Sequence, residues 1–256
     1  MARIYLDYNA TAPLRPEARA AMITAMDEVG NPSSVHQEGR AAKMIMERAR
    51  EQVAVAMGAQ AADVVFTSGA TEAAALCLTG ADAHCSHIEH EAVSANCIVD
   101  QAVDDTGKVN VTRPERSTLQ LANSETGIIQ DLPEGLFASD MTQAFGKVPV
   151  AFDWSGAQMA MVSAHKLGGP KGVGALILKK GTDIAAQLRG GGQEMGRRSG
   201  TENIIGIAGF GAAAEAAARD LDAGVWSKVE KLRNILENAI AQSSNRTIFV
   251  GNTANR

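Results

Sequence analysis

Aromatic residues and cysteine are scarce in this chain. Phe, Trp and Tyr make up 4% of its 256 residues, and cysteine occurs three times, as Cys77, Cys85 and Cys97. The core must therefore be built from Ala, Val, Ile, Leu and Met. An odd number of cysteines without a CxxC pair argues against a disulfide framework and favours a reducing compartment, so the expected location is cytoplasmic.

Long apolar runs and clusters of positive charge are also missing. No stretch approaches the roughly 20 apolar residues of a membrane-spanning helix, and the N-terminus lacks the apolar run of a signal peptide. Lys and Arg number 24 against 29 Asp and Glu, a formal net charge of −5. We therefore expect neither a nucleic acid nor a membrane as partner.

The order of helical and apolar patterns predicts an α/β fold with a mainly parallel sheet, because predicted strands alternate with predicted helices. Helices are predicted from Pro16 to Met26, from a cap at Ser34 or a neighbour to Met57, after residue 69, from Ile204 to Leu221 and from Trp226 to Gln242. Strands are predicted at 64–67, 118–122, 136–138, 159–163, 173–178 and 247–250.

The pattern also predicts how the chain is organised. Residues 1–15 form an N-terminal segment, 16–244 a large domain, and 245–256 the start of a smaller domain. The last predicted strand, Thr247 to Val250, has no later strand with which to pair. From this we expect the chain to be a truncated part of a longer protein.

Lys166 lies in the segment Ser163-Ala-His-Lys-Leu-Gly-Gly-Pro-Lys-Gly, between an apolar run and a glycine-rich turn. An enzyme that uses pyridoxal 5′-phosphate (PLP) needs one lysine whose neutral amine forms an imine with the cofactor aldehyde. A lysine at the exit of a buried strand suits that role. A loop lysine taken alone is more often a solvated surface residue, but the flanking residues favour the cofactor role.

Asp140 ends another short predicted strand, and Gln143 follows it. A carboxylate beside the pyridine nitrogen of PLP keeps that ring protonated, and the carboxyl ends of parallel strands form the crevice where ligands bind. Gln143 could then donate to the phenolate oxygen of the cofactor. Taken alone, an Asp in this position is more often a helix N-cap.

The segment Thr67-Ser-Gly-Ala-Thr-Glu72 predicts a strand, a glycine turn and a helix. Free backbone N–H groups at a helix N-terminus, with the hydroxyls of Ser68 and Thr71, would make a phosphate cradle. An ordinary capping box with Ser68 or Thr67 as the cap is the alternative. The local sequence does not separate these two interpretations.

Three of the five histidines, His84, His87 and His90, surround Cys85. On a strand, His84 and His90 would share one face while Cys85 and His87 faced the other, which is a poor arrangement for chelation. We therefore predict no metal site. A flat imidazole at His90 is better suited to stacking on a flat cofactor ring.

Taken together, ordered motifs along nearly the whole chain resemble those of the cysteine desulfurases of the NifS and IscS type, PLP enzymes of fold type I in the class V aminotransferase group. The motifs are Tyr5-Leu-Asp-Tyr-Asn-Ala-Thr-Ala-Pro, Gly30-Asn-Pro-Ser-Ser-Val-His, Phe66-Thr-Ser-Gly-Ala-Thr-Glu, Glu89-His-Glu-Ala-Val, Ala122-Asn-Ser-Glu-Thr-Gly, Asp140-Met-Thr-Gln, Ser163-Ala-His-Lys, Gly168-Gly-Pro-Lys-Gly-Val-Gly-Ala, Gly190-Gly-Gly-Gln-Glu and Arg198-Ser-Gly-Thr-Glu-Asn. The resemblance implies a three-layer α/β/α large domain with a mainly parallel mixed sheet, and with most of the small domain absent.

The resemblance also implies residue roles. Lys166 would be the Schiff-base lysine, Asp140 the partner of the pyridinium nitrogen, and His90 the stacking residue, and these three form the catalytic set. The implied cofactor-binding residues are Ala70, Thr71, His90, Ser124, Asp140, Gln143, Ser163, His165, Lys166 and Thr201. Thr201 would reach the phosphate of the neighbouring subunit in a homodimer. Ser124 departs from the family pattern, because many relatives carry a second Asn there.

The implied reaction takes L-cysteine, or a related small amino acid, to L-alanine and leaves a persulfide on the enzyme, with a sulfur-acceptor protein and iron–sulfur cluster assembly downstream. Relatives carry the nucleophilic cysteine and a substrate-binding arginine beyond the point where this sequence stops. Cys77 and Cys97 fall in helical patterns and are predicted to be small buried residues; Cys85 falls on a predicted strand. None of the three occupies the family motif.

Two other interpretations stay open. Another class V enzyme, such as a selenocysteine lyase or a small-amino-acid aminotransferase, would share the lysine, the aspartate and the phosphate cradle. A shortened homologue without catalytic activity could instead serve as a binding protein. The segment Arg198-Ser-Gly-Thr favours the desulfurase over the other class V enzymes.

Overall fold

The fold is known from a computed structural model, which describes residues 3–244 and 246–256. The first two residues of the predicted N-terminal segment and the predicted domain boundary at residue 245 lie outside the described residues. The helices are α1 (Pro16–Met26), α2 (Gln37–Ala56), α3 (Ala70–Leu78), α4 (Glu91–Ser94), α5 (Ile204–Asp222) and α6 (Val225–Ser243). These bounds confirm the long helices predicted from the sequence.

The strands form a four-stranded mixed sheet and a separate two-stranded parallel sheet. They are β1 (Ala62–Thr67), β2 (His84–Ser86), β3 (Ile98–Gln101), β4 (Ser139–Asp140), β5 (Met159–Ser163) and β6 (Gly174–Lys179). Four of them follow the order β1-β6-β5-β4, and β6 runs antiparallel to both neighbours while β4 and β5 are parallel. Parallel bridges from Ser117 to His84 and from Thr118 to Ala138 connect this sheet to the parallel pair β2–β3.

Side chains that alternate along the central strands face two separate cores, which makes the fold a three-layer α/β/α structure. On β5, Ala160 and Val162 pack into the core that contains residues of α1, α2 and α5. Met159 and Met161 face the opposite core, formed with α3 and the region of α4. This alternation is the period of two that a strand buried on both faces requires, and it confirms the predicted fold class.

The strands predicted at 118–122 and 136–138 do not form, because only single residues of these runs pair with a neighbour, as isolated bridges; the short strand is Ser139–Asp140 instead. Three further local predictions are wrong. The cap of α2 is His36, whose side chain accepts from the Gly39 N–H, and not Ser34. Residues 247–250 form no strand; Ile248 is 87% exposed, so an apolar run there does not mark burial. Cys97 lies in a bend between α4 and β3 rather than in a helix, because α4 is a single turn that ends at Ser94.

Within residues 3–244 and 246–256, no helix combines the length and the apolar character that crossing a membrane would require.

Candidate active site

A cavity of about 520 Å³ opens at the carboxyl ends of β4 and β5, facing the first turn of α3. This is the edge where parallel strands offer their ends to ligands. The predicted site residues that line it are Ala70, Thr71, His90, Ser124, Asp140, Gln143, Ser163, His165 and Lys166. Thr201 does not line this cavity; it is exposed, in the loop before α5.

Lys166 lies in a short 3₁₀ turn directly after β5. Its Nζ donates to the carbonyl oxygens of Asn9 at 2.7 Å and Ala10 at 3.1 Å. Burial lowers the pKa of this amine, and the nearby Asp140 carboxylate opposes the shift without cancelling it. The neutral amine that imine chemistry needs is therefore more accessible than in a solvated lysine.

Asp140 is the last residue of β4, held beside β5 through pairing with Met161. Its Oδ1 accepts from the Thr142 N–H at 2.9 Å, but the residues that follow form turns and not a helix. The helix N-cap interpretation of Asp140 is therefore wrong. With one oxygen held by this turn, the carboxylate has a fixed orientation at the cavity.

The first turn of α3 supplies unsatisfied donors. Its N-cap residue is Gly69, and no side chain caps it. The Ser68 N–H donates to Glu72 Oε2 at 2.8 Å. Neither the Ser68 nor the Thr67 side chain caps the helix, as a capping box requires. The N–H groups of Ala70 and Thr71 have no hydrogen-bond partner among the described residues, and both residues line the cavity, as an anion site at a helix N-terminus requires.

A close backbone approach shapes this cradle. A Cβ added at Gly174 on β6 would lie 2.5 Å from the Val162 carbonyl oxygen and 2.7 Å from the Gly69 Cα. Only glycine fits between these two backbones. The turn that starts α3 is therefore seated directly on the sheet, and its N–H groups have a rigid support.

Two polar atoms at the cavity wall are buried and have no hydrogen-bond partner within the described residues: His165 Nδ1 and Thr11 Oγ1. Burial lowers the pKa of His165, and the positive charges of Lys166 and Lys171 lower it further. Orphaned polar atoms of this kind call for an explanation, and a bound polar ligand is one.

His90 begins α4, where its Nδ1 accepts from the Ala92 N–H at 3.1 Å. That bond fixes the ring at the cavity edge. His84 has other partners: its Nδ1 lies 2.9 Å from Asp100 Oδ2 and its Nε2 3.1 Å from Arg113. No group of three or more metal-ligating side chains occurs among the residues that the structure describes.

The three cysteines lie outside this cavity. Cys77 is buried in α3, and desolvation raises the pKa of its thiol to about 12. Cys85 is fully buried on β2, and its contact with Cys97, together with burial, raises the pKa of its thiol. Buried, protonated thiols are poor nucleophiles.

The sequence did not single out two contributors to the site. The turn Asn9–Thr11 places carbonyl oxygens and a hydroxyl against Lys166 and the cavity; the first motif contains these residues but does not show where they lie. Lys147 donates to Gln143 Oε1. No motif indicates Lys147, because its contact with Gln143 depends on how the turn between the two residues folds.

Comparisons with known proteins agree with this geometry. Residues 4–256 match the aminotransferase class-V family. The cysteine desulfurase IscS of Dictyoglomus turgidum is 36% identical over 95% of this chain and 70% of its own length, and a cysteine desulfurase of Frankia sp. is 41% identical over 85% and 63%. The chain thus spans roughly two thirds of the length of these relatives.

A solved structure is similar over the whole chain. The NifS-like protein of Rickettsia africae superposes with a TM-score of 0.88 at 32% identity, covering 100% of this chain and 79% of that protein.

Proposed function

We infer that this chain, which belongs to the aminotransferase class-V family and within it to the cysteine desulfurases, carries the PLP site of an enzyme that converts L-cysteine to L-alanine and passes on the sulfur. One observation carries the proposal: a half-buried lysine amine with a lowered pKa lies in the same cavity as a carboxylate and a free helix N-terminus.

The residues present fit PLP. The N–H groups of Ala70 and Thr71 suit its phosphate, with Ser163 and the unpartnered His165 Nδ1 beside them. Asp140 would face the pyridinium nitrogen, and Gln143 the phenolate oxygen. His90 would stack on the ring. Ser124 lines the same cavity, where its shorter side chain replaces the Asn of many relatives.

PLP, when bound, supplies an electron sink that makes the α-proton of an amino acid acidic. The residues of this chain supply the rest of that step. Asp140 would keep the ring nitrogen protonated through its negative charge. Lys166 would hold the cofactor and, once its amine is free and neutral, would take the proton from the substrate Cα.

Sulfur transfer needs a thiolate. In the proposed step this thiolate attacks the sulfur of the substrate, the bond from sulfur to Cβ breaks with its electron pair left on carbon, Cβ takes a proton, and Lys166 would return a proton to Cα to give alanine. The new sulfur–sulfur bond is a persulfide. Since Cys77, Cys85 and Cys97 lie outside the cavity, we assign the thiolate to none of them.

The remaining parts of the proposal concern organisation. The chain would act as a homodimer in which Thr201 reaches the phosphate held by the neighbouring subunit. A sulfur-acceptor protein, serving iron–sulfur cluster assembly, would take the persulfide sulfur in the cytoplasm. We also propose that the chain divides into an N-terminal segment, residues 1–15, a large domain, residues 16–244, and the start of a smaller domain, residues 245–256.

The test is covalent capture of PLP. The purified chain, incubated with PLP, should absorb visible light, and borohydride should fix the label on the peptide that carries Lys166. Lys166→Ala should lose the label, whereas Lys171→Ala, which removes the other lysine of that segment, should keep it. A label on Lys171 would refute the assignment. With the whole protein, sulfide and alanine as products support a desulfurase, and a keto acid supports an aminotransferase.

A further inference from the structure

We propose that Lys147 is a positioning residue of this site: it fixes the side-chain amide of Gln143 so that the N–H face of the amide, and not its oxygen, points toward the bound cofactor. The inference deepens the proposed function and rests on PLP being the cofactor. Lys147 itself does not line the cavity, so it acts through Gln143.

The fold places Lys147 behind Gln143. Residues 142–147 form consecutive turns after β4, and the Phe145 N–H donates to the Met141 carbonyl at 2.8 Å. The indole of Trp226 donates to the Gly146 carbonyl at 3.0 Å. These bonds hold the turn against α6, so the Lys147 amine is directed back to Gln143 and donates to its Oε1.

The orientation of the Gln143 amide follows from donor and acceptor roles. A lysine ammonium only donates, so the amide oxygen must face Lys147. The amide nitrogen then donates to the Asn9 carbonyl at 3.1 Å, the same oxygen that accepts from Lys166 at 2.7 Å. A flipped amide would set donor against donor at Lys147 and acceptor against acceptor at Asn9.

The two lysines are thereby connected through Gln143 and the Asn9 carbonyl. Lys147 donates to Gln143, and the Asn9 carbonyl accepts from both Gln143 and Lys166. In this chain Gln143 presents N–H groups next to the amine that would hold the cofactor. A phenolate oxygen needs a donor there, and an amide oxygen in its place would repel it. Lys147, together with the Asn9 carbonyl, therefore decides whether Gln143 is a donor or an acceptor at that position.

The environment of Lys147 is unlike that of a surface lysine. Burial and the positive charge of Lys166 lower the pKa of Lys147 to about 8, and its charge in turn lowers the pKa of His165. Burying a lysine amine is unfavourable unless the amine is hydrogen-bonded, so the acceptor of this amine contributes to its stability. The side-chain acceptor that the structure gives its amine is Gln143.

A double-mutant cycle separates positioning from simple loss of charge. Lys147→Met should raise the Kd for PLP about tenfold, the effect expected for one lost hydrogen bond of ordinary strength. In a Gln143→Leu background, which has no amide to orient, the same change should have little effect. Lys147→Arg keeps a donor and should restore most of the affinity. Lys171→Met, which removes another positive charge at the cavity, should give the same effect in both backgrounds.

A second measurement does not need PLP. In the apo-protein, the side-chain amide signals of Gln143 should shift between pH 7 and 9 as Lys147 titrates, and Lys147→Met should abolish that shift. Equal effects of Lys147→Met on Kd in both backgrounds, or an amide unaffected by Lys147, would overturn the proposal. A wild-type chain that binds no PLP but shows the amide shift would count against the proposed function alone.

Discussion

Arg198 and Glu72 form a two-pronged ion pair, with Nε 2.7 Å from Oε1 and a terminal nitrogen 3.3 Å from Oε2. The same Glu72 carboxylate accepts from the Ser68 N–H. One side chain of α3 thus ties the loop that precedes Thr201 to the turn that would bind phosphate. Although burial opposes it, bonding from Arg198 and Ser68 lowers the pKa of Glu72.

Arg198→Met should therefore lower the free energy of unfolding of the apo-protein by about 1–2 kcal/mol, a value between those of an exposed ion pair and a buried charge-assisted bond, because the pair is partly exposed. Glu72 has a lowered pKa in the folded state, so the contribution is present above its unfolded pKa and is lost as pH falls through the folded value. Urea unfolding at pH 7 and pH 3 measures both effects.

Arg219→Met is the matched control for Arg198→Met. Arg219 pairs with Glu17 at 3.6 Å, and both side chains are about half exposed. Its loss should change the free energy of unfolding by at most about 0.5 kcal/mol. If both variants lose the same free energy of unfolding, the Arg198–Glu72 pair stabilises the protein no more than an exposed ion pair does.

Asp140→Asn tests the electron-sink role. The amide is nearly isosteric and keeps the oxygen that accepts from the Thr142 N–H, so PLP binding should survive in part. A neutral amide cannot hold the ring nitrogen protonated, and solvent deuterium exchange at the Cα of alanine should fall by about 100-fold or more. Asp153→Asn, at a residue that bonds the Ala61 N–H far from the cavity, should leave exchange unchanged. Equal rates for Asp140→Asn and the parent would refute the role.

Regular elements were predictable because their signals are local. Pro16 fixes the start of α1, and the apolar run 159–163 is β5 with every residue buried. The strand predicted at 247–250 failed for a physical reason, since four apolar or β-branched residues form a strand only when a neighbouring strand satisfies their backbone groups.

The candidate site was predictable where a motif places a residue at the end of a strand, as at Asp140 and Lys166. Contacts between distant segments were not predictable. Nothing near Asn9 indicates that its carbonyl oxygen lies 2.7 Å from Lys166, and nothing near Glu72 indicates Arg198. Such pairs depend on how the loops fold over the sheet, and a local pattern does not encode that.

Thiol reactivity tests the view that the buried cysteines are structural. In the native chain, an aromatic disulfide reagent should modify Cys97, which is half-buried, well before Cys77 or Cys85, which are buried. A raised pKa and lack of access both slow a thiol. Peptide mapping after timed reaction gives the order, and urea should make the three rates similar. Rapid modification of Cys85 in the native chain would contradict this view and make Cys85 a candidate nucleophile.

Glu89 gives the last prediction. It is 7% exposed, accepts from the Gln120 N–H at 2.6 Å through Oε1, and has a buried Oε2 with no partner among the described residues. Burial, followed by the negative charge of Asp140, raises the pKa of Glu89 well above the ordinary 4.5. Between the unfolded and the folded pKa, the folded chain therefore holds a proton that the unfolded chain releases. Stability contributed by this proton is complete below pH 4.5 and is lost as pH rises toward the folded pKa.

Glu89→Gln mimics the protonated acid and keeps the oxygen that accepts from the Gln120 N–H. The variant should match the parent near pH 4 and exceed it in free energy of unfolding at pH 8, because only the parent must then bury a charge or retain a proton. Urea unfolding of the two apo-proteins between pH 4 and 8 measures the difference, and Glu91→Gln, an exposed neighbour, serves as the control. A difference that is constant across this range would mean that Glu89 titrates alike in the folded and unfolded chains, and that burial does not raise its pKa.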